Sequence, residues 1–321
     1  MIIRAYAVKR KKLIKDDKTS TVGIATCLAN IYLKKGSVVY GSTLNGHEVG
    51  FVRITDNQDL NRLRGSKYCQ SALGETFKCI LQDIKSDNKV FFCGTPCQVF
   101  ALKKFLEAKN ADLNKIILVD LVCHGVASPK IFSSWLEYCH KKNHSEIDEV
   151  LFRDKRYGWA SQKWTIRYKN GKEETDAFQE QVFKNLYYGS YVLRPSCHSC
   201  RFTNKNRYGD ITLGDFWNIR EVDPTFYSEN GVGLVFVNTL KGLEFFESCF
   251  DDYLVKEVDA SICTQPQLEH PTKPNVDRAK FWNDFEKESF IKIANKYCGL
   301  SFLQRVTFAL KNVMSRRNKH G

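Results

Sequence analysis

The spacing of hydrophobic and polar positions predicts alternating helices and strands in the first part of the chain. Apolar residues recur at the spacing of one helix face in residues 21–33, and residues 38–40 form a short apolar strand. Alternating apolar positions predict another strand at residues 48–54, and helical spacing returns at residues 73–84. Helices and strands that follow one another in this way are typical of an α/β fold.

The middle of the chain contains the same unit twice. An apolar strand at residues 89–93 leads into Thr95 and Pro96, which are preferred residues at the start of a helix. A second apolar strand at residues 116–122 precedes Ser128-Pro129 and another helical pattern. Two successive strand–turn–helix units predict parallel strands, and the carboxyl ends of such strands are where ligands bind.

The pattern changes after residue 150. Residues 164–168, the Asn170-Gly171 turn and the residues after it predict an antiparallel hairpin. The remaining predicted elements are a helix at 180–188, strands at 210–216 and 233–238, and a helix at 242–250. We therefore predict an α/β fold with a mainly parallel sheet flanked by helices, an antiparallel hairpin excursion and a C-terminal helical tail.

The net charge of +13 is concentrated at the two ends of the chain. Residues 1–18 hold seven Lys or Arg and two Asp, and residues 304–321 hold five Lys or Arg and no acidic residue. Residues 302–314 have apolar positions on one helical face, so this segment either packs on the protein or lies on an anionic membrane. The chain carries no nucleic-acid-binding motif, and we expect no nucleic-acid partner.

The composition favours a cytoplasmic protein with reduced cysteines. No apolar run reaches the roughly 18 residues of a membrane span, and the first residues lack the features of a secretory signal. Because cytosolic thiols stay reduced, the 12 cysteines are predicted to be metal ligands or small buried side chains rather than disulfides.

Four cysteines are candidate ligands because of their positions. Cys97 falls in the first turn of a predicted helix, where the helix dipole favours the thiolate that binds metal. Cys123 ends the next parallel strand, and Cys197 and Cys200 form a C-x-x-C pair. Together they predict a four-cysteine site. The C-x-x-C pair alone also fits a redox dithiol or half of a zinc site.

Two clusters of cations are candidates for binding an anionic cofactor. The run Arg64-Gly65-Ser66-Lys67 places two cations and a hydroxyl around a glycine before a helix, which suits a phosphate but also fits an exposed basic turn. Residues 152–159 mix cations, among them Arg153 and Lys155, with aromatic side chains that can stack on a ring. This second cluster fits a structural ion-pair turn equally well.

Six short motifs follow one another along the chain. They are Arg64-Gly65-Ser66-Lys67-Tyr68, Cys93-Gly94-Thr95-Pro96-Cys97-Gln98, Val122-Cys123-His124-Gly125, residues 152–159, Arg194-Pro195-Ser196-Cys197-His198-Ser199-Cys200 and Thr212-Leu213-Gly214-Asp215-Phe216-Trp217. In this order they closely resemble the beta-subunit family of coenzyme F-420 hydrogenases and dehydrogenases, and in particular its bacterial branch associated with surface-polysaccharide gene clusters. The resemblance covers about residues 4–250.

The resemblance implies an iron–sulfur flavoprotein oxidoreductase that passes electrons between a 4Fe-4S cluster and FAD. It implies that the cluster ligands are Cys97, Cys123, Cys197 and Cys200, the set that strand ends and spacing also bring together. The FAD contacts that it implies come from Arg64, Ser66, Lys67, Tyr68, Thr95, Gln98, Arg153 and Lys155. For this branch the implied role is surface-polysaccharide biosynthesis, with a nucleotide sugar or a lipid-linked saccharide as substrate.

The chain departs from the family pattern in two places. Many relatives begin with a ferredoxin-like segment, and nothing of that kind precedes Ala5, so we expect a separate ferredoxin or reductase as electron donor. The family's Ser-Ser-Gly-Gly run corresponds to Ser20-Thr21-Val22-Gly23, and the lost glycine bears on how closely the backbone can approach a cofactor.

We predict three segments: an N-terminal family domain with a flavin-phosphate loop (1–88), a C-terminal family domain with the cysteine loops (89–255) and a helical basic tail (256–321). We expect a cytoplasmic enzyme, with peripheral contact at the inner face of the membrane if the tail binds lipid. Two other classes of protein stay open, namely a non-catalytic scaffold with a structural Zn site and a thiol–disulfide oxidoreductase that uses Cys197 and Cys200.

Overall fold

The computed structural model describes residues 2–12 and 21–298. The strands are β1 (Arg4–Arg10), β2 (Val38–Asn45), β3 (Glu48–Ile54), β4 (Val90–Gly94), β5 (Ile116–Leu121), β6 (Ile147–Leu151), β7 (Thr165–Tyr168), β8 (Glu173–Thr175), β9 (Ile211–Asp215), β10 (Gly233–Val237) and β11 (Tyr253–Val258). The helices are α1 (Ile24–Lys34), α2 (Thr76–Lys85), α3 (Pro96–Ala108), α4 (Pro129–Asn143), α5 (Phe178–Tyr188), α6 (Ile219–Val222), α7 (Leu240–Glu247), α8 (Arg278–Lys287) and α9 (Phe290–Tyr297).

A large mixed sheet forms the centre of the fold, with strand order β11-β1-β10-β9-β5-β4-β2-β3. Its core is parallel, because β2 pairs with β4, β4 with β5, and β5 with β9 in the same direction. The outer pairs are antiparallel. The predicted α/β fold is therefore confirmed, with the parallel strands in the middle of the sheet and antiparallel strands on both sides.

The helix that follows β4 begins where the sequence predicts it. Pro96 is the first residue of α3, and the carbonyl oxygen of the Gln98 side chain accepts a hydrogen bond from the Thr95 backbone N–H at 3.0 Å. This contact satisfies a donor that the first turn leaves without a helical partner. On β4 itself, Phe91 and Phe92 point to opposite faces, toward α1 and toward α2 and α3 respectively.

The predicted hairpin is confirmed as part of a three-stranded antiparallel sheet, β6-β7-β8. Gly171 has a φ of 82°, and its N–H donates to the Tyr168 carbonyl at 2.9 Å, so the turn uses the left-handed conformation that glycine allows. The small sheet packs with α4, α5, α8 and α9 around a core in which Trp135, Trp164 and Phe183 are fully buried.

Several strands had no prediction, among them β1, β6 and β11, whereas α8 and α9 lie in the segment 256–321 that is predicted to be a helical tail. Strands from both sides of residue 88 share the large sheet, and the division at 88 and 255 stays a prediction. The amphipathic segment at 302–314 lies outside the described residues. Within residues 2–12 and 21–298, none of the helices is both long and apolar enough to span a bilayer.

Candidate functional site

The carboxyl ends of β4, β5 and β9 open into a cavity of about 630 Å³, called the main cavity below. Its walls come from the first turns of α1 and α3, the loop at residues 63–73, the segment after β5, the end of α5 and the end of β9. Parallel strands therefore deliver several loops to one place, as the sequence predicts for their carboxyl ends.

Cys97 and Cys123 both line this cavity. Cys97 is an exposed residue in the first turn of α3, and its Sγ lies 3.2 Å from Oγ1 of Thr95. Burial raises the pKa of the Cys123 thiol to about 12, and the nearby thiols of Cys97 and Cys197 contribute to the shift. The two strand-end cysteines are thus neighbours, as predicted.

The C-x-x-C pair lies next to them, at a 3-10 helix formed by Pro195–Ser199. A Cβ atom placed on Gly125 would lie 3.3 Å from Cβ of Cys197, so the turn after Cys123 runs directly against this pair. Burial raises the pKa of the Cys197 thiol, and the thiols of Cys200 and Cys97 add to the shift. Cys123 and Cys197 therefore each lie within electrostatic range of the other three thiols.

The cysteines are free thiols throughout: all twelve lie in the described ranges and none is in a disulfide. Across residues 2–12 and 21–298, no three or more His, Cys, Asp or Glu side chains form a group that could hold a metal ion as they stand. The fit to a cluster consequently depends on the convergence of the four thiols, and their assignment as ligands stays a prediction.

A buried ion pair fixes the loop that follows the C-x-x-C pair. Arg207 and Asp120 are almost completely buried, with 2.6 Å between Nη2 and Oδ1. The same guanidinium donates to the carbonyl of Leu121 at 2.9 Å and to that of Phe202 at 3.0 Å. The loop after Cys200 is thereby attached to the end of β5. Sequence reasoning missed this pair because its two residues are far apart in the chain.

A histidine follows Cys123, and another lies between Cys197 and Cys200. His124 lines the main cavity, and burial together with the nearby His198 lowers the pKa of its imidazole. Thr272 joins the two, since its carbonyl lies 2.9 Å from Nδ1 of His198 and its hydroxyl donates to the carbonyl of His124 at 2.8 Å. The segment around residue 272 is therefore hydrogen-bonded to both loops that carry these histidines, a contact that no sequence motif indicates.

Lys67, the last residue of the predicted phosphate-binding run at residues 64–67, lines the main cavity. Its Nζ donates to the carbonyls of Leu63 and Arg64 at 3.0 and 2.9 Å, and burial lowers its pKa to about 8. In the described part of the chain it has no ion pair with a carboxylate. An ammonium group buried in this way is electrostatically unsatisfied, which favours an anionic ligand.

The run at residues 152–159 forms an ion-pair turn, one of the two readings that the sequence leaves open. Arg153 makes a buried ion pair with Asp215 and donates to the Trp159 carbonyl at 2.6 Å. Its guanidinium also lies 4.7 Å from the ring centroid of Trp217, which stacks on Trp159. Although burial alone would raise the pKa of Asp215, Arg153 holds it below its usual range.

The eight predicted FAD contacts divide between two cavities. Six line the main cavity: Ser66, Lys67, Tyr68, Thr95, Gln98 and Arg153. Arg64 and Lys155 line only a second cavity of about 520 Å³, on the other side of the loop at residues 64–67. Sequence reasoning did not identify Asp215, Trp217 or Tyr188 as residues of the main cavity, although the first two lie in a quoted motif.

The start of α1 adds backbone donors to the main cavity. Ala25 and Thr26 line it, and no described side chain caps the helix. Val22 (φ 46°) and Gly23 (φ 77°) are both left-handed, so Val22 takes the conformation expected of the glycine that the family pattern has in this run. The Val22 carbonyl accepts hydrogen bonds from Arg10 at 2.8 Å and Tyr253 at 3.1 Å, which hold this strained residue in place.

Fold and site together define an α/β protein with a ligand cavity at the strand ends and thiols in its wall. Residues 87–261, more than half of the chain, match the family described as the C-terminal part of the beta subunit of coenzyme F420 hydrogenase/dehydrogenase. The chain belongs to this family, whose known members are oxidoreductase subunits that transfer electrons. The resemblance seen in the motifs is therefore confirmed.

Two relatives show the range of the likeness. The F420-dependent formate dehydrogenase subunit beta of Methanocaldococcus jannaschii is 23% identical over 189 residues, which cover 57% of this chain and 44% of that protein. The chain thus matches less than half the length of this curated relative. A chain of the F420-reducing NiFe hydrogenase complex of Methanosarcina barkeri shares the fold, with a TM-score of 0.54 and 16% identity over 100% of this chain and 94% of that one.

Proposed function

We propose that this protein is an iron–sulfur flavoprotein oxidoreductase that passes electrons between a 4Fe-4S cluster and FAD. The observation that carries the proposal is the convergence of four thiols, two of which, Cys97 and Cys123, line a cavity with room for a flavin cofactor. When bound, the cluster supplies one-electron transfer and the flavin accepts or donates a hydride. The chain's own residues hold both groups and keep them close together.

The cluster ligands in this proposal are Cys97, Cys123, Cys197 and Cys200. Soft thiolates suit iron–sulfur centres, and the four come from three separate loops, so the folded chain has to bring them together. The Asp120–Arg207 ion pair keeps the third loop against the end of β5. Because Cys123 is buried with a raised pKa, binding iron at this thiol releases a proton.

The FAD contacts in this proposal come from two kinds of group. Lys67 and the backbone amides at the start of α1 attract phosphate, because each presents positive charge to the cavity. Tyr188 and Trp217 line the same cavity and are about two-fifths exposed, so their rings are available to contact a planar ligand. Cationic and aromatic groups that line one cavity suit a cofactor with a phosphate part and a ring part.

The partners in this proposal are a separate ferredoxin or reductase as electron donor and a nucleotide sugar or lipid-linked saccharide as the substrate. The role in surface-polysaccharide biosynthesis rests on the family resemblance. The names of the relatives make coenzyme F420 a second candidate electron carrier for the same cavity. Reduction assays with F420 and with a ferredoxin, run on the same preparation, separate the two carriers.

The direct test is a reductive titration of full-length protein purified without air, followed by absorbance and by electron paramagnetic resonance. We expect the flavin absorbance to bleach and a reduced-cluster signal to appear in the same sample. C123S should lose the cluster signal, whereas C139S, which changes a cysteine buried in the core around α4, should keep it. A protein with neither signal, or with an unchanged cluster in C123S, would contradict the proposal.

A further inference from the structure

The second cavity has features that the FAD proposal does not use. It has a volume of about 520 Å³ and lies between the β2–β3 turn, the loop at residues 61–67 and strand β6. This volume is in the range of small-molecule sites and exceeds what a single inorganic ion needs. Lys67 and Arg153 line both cavities, so the two share a wall.

The lining of the second cavity is strongly cationic. Its five cationic side chains are Arg62, Arg64, Lys67, Arg153 and Lys155. Its two acidic side chains are Asp148, which is exposed, and Glu149, which Arg167 engages at 2.8 Å. The cavity therefore presents a surplus of positive charge, which attracts anions and disfavours cations.

Two of these cations, Arg64 and Lys67, have no carboxylate partner in the described part of the chain. The Nε atom of Arg64 is buried and has no hydrogen-bond partner among the described residues. Lys67 donates only to two backbone carbonyls in the same part of the chain. Arg153, in contrast, is neutralised by Asp215, and Arg62 lies 3.8 Å from Asp59. A buried guanidinium donor without a partner costs free energy unless a ligand accepts its hydrogen bond.

We propose that the second cavity is a binding site for a phosphate-bearing ligand, distinct from FAD, in which Arg64 is the principal cation. A planar guanidinium matches two phosphate oxygens at once, and Lys67 reaches the anion as a point charge from the shared wall. The identification of that ligand as the enzyme's own substrate rests on the proposed function, whereas the anion site rests only on the cavity and its cations. The substrate class it indicates is an organic diphosphate.

The test is calorimetric titration of full-length protein with inorganic pyrophosphate, before and after saturation with FAD. We expect wild-type protein to bind pyrophosphate in both states, because FAD occupies the other cavity. R64Q should weaken pyrophosphate binding about tenfold or more, which corresponds to the loss of one charge-assisted hydrogen bond, and should keep its affinity for FAD. R62Q, at an exposed position, should weaken it by about threefold or less.

The matched control is R4Q, which removes the same charge from an exposed arginine on β1. It should leave pyrophosphate binding unchanged. Binding that R64Q and R62Q leave unchanged, or that FAD abolishes in wild-type protein, would overturn the second site. A protein that binds pyrophosphate through Arg64 and never binds FAD would instead refute the proposed function and keep the anion site.

Two sources of the diphosphate are separated by repeating the titration with uridine diphosphate. Equal affinity for uridine diphosphate and pyrophosphate would mean that the phosphates make all the contacts. Tighter binding of the nucleotide would mean that the rest of the cavity contacts its organic part. Both results support a diphosphate site, and rejection of both ligands overturns it.

Discussion

The two walls of the main cavity differ in the partners that the fold supplies for their ionisable side chains. The cysteine wall consists of Cys97 and Cys123, which line the cavity, together with the neighbouring Cys197 and Cys200. Burial and the proximity of the other thiols raise the pKa values of Cys123 and Cys197. The cation wall, formed by Lys67 and Arg153, already has internal partners: two carbonyls for Lys67 and Asp215 for Arg153. The thiols need a metal to compensate their charge once they are ionised, whereas in the cation wall the fold neutralises Arg153 and leaves Lys67 without a carboxylate partner among the described residues.

This difference assigns different roles to the two walls. Four ionised thiols so close together would repel one another, so they become thiolates only when iron or another metal compensates the charge. A substitution in the cysteine wall should accordingly act on the cluster, while a substitution in the cation wall should act on ligand binding and, at Arg153, also on the stability of the fold. The predictions below separate these effects, from the largest to the smallest.

The largest expected effect is loss of the cluster. Replacing Cys97, Cys123, Cys197 or Cys200 singly with Ser should remove or degrade it, because a hydroxyl is a poor ligand for an iron–sulfur centre. The measurement is iron per chain in protein purified without air. C139S and C249S, both at buried core positions, serve as controls and should retain their iron. Iron loss in a control combined with iron retention in C123S would show that the ligand assignment is wrong.

The second effect is on stability. R207M leaves Asp120 buried without its cation, and breaking a buried pair in this way costs about 3–5 kcal/mol. The free energy of unfolding from urea denaturation of metal-free protein measures this cost. The double variant R207M/D120L should recover much of the loss, because it removes the unpaired charge as well. A change below about 1 kcal/mol in R207M would mean that the pair does not anchor the loop.

The third effect separates the two cations of the cation wall. K67M should weaken FAD binding about tenfold, with little change in the free energy of unfolding, because Lys67 has no carboxylate partner in the described structure. R153Q should lower the free energy of unfolding as well, because it leaves Asp215 buried without its partner. Fluorescence titration with FAD and urea denaturation of both variants test this contrast. An equal change in the free energy of unfolding of K67M and R153Q would contradict it.

The smallest effect is a pH dependence that comes from Lys67. Its pKa of about 8 lies below its usual value because burial disfavours the ammonium form, and a bound phosphate favours that form. The affinity for FAD should therefore be highest below about pH 8 and fall by up to about tenfold per pH unit above it. In K67M the affinity should change less over this range. A wild-type affinity that rises with pH would contradict the role given to Lys67.

The cysteine wall follows from sequence more directly than the cation wall does. Strand patterns place Cys97 and Cys123 at neighbouring strand ends, and the sheet confirms that β4 and β5 are parallel neighbours. The partners of Arg153 could not be predicted, because Asp215 lies 62 residues further along the chain and the contact depends on how the ion-pair turn folds against β9. The same limit applies to Asp120 and Arg207.

Two strands of the antiparallel part of the sheet were missed for a related physical reason. β11 forms the edge of the sheet and pairs with β1, and Tyr253 is the one fully buried residue of β11. Their short apolar patterns carry little information until the partner strand is known. The division of the FAD contacts between two cavities was also hidden, because Arg64 and Lys67 are three residues apart in sequence and only the folded loop shows that Arg64 lines the second cavity alone while Lys67 lines both.

The measurement that tests the central claim most directly is the metal and flavin content of full-length protein purified without air. A four-cysteine cluster beside a flavin predicts about four iron atoms and about one FAD per chain, with flavin absorbance on a broad iron–sulfur shoulder. A colourless protein with about one Zn per chain would identify a structural zinc site instead. A metal-free, colourless protein in which Cys197 and Cys200 oxidise reversibly would identify a thiol–disulfide oxidoreductase, and either of these results would contradict the account.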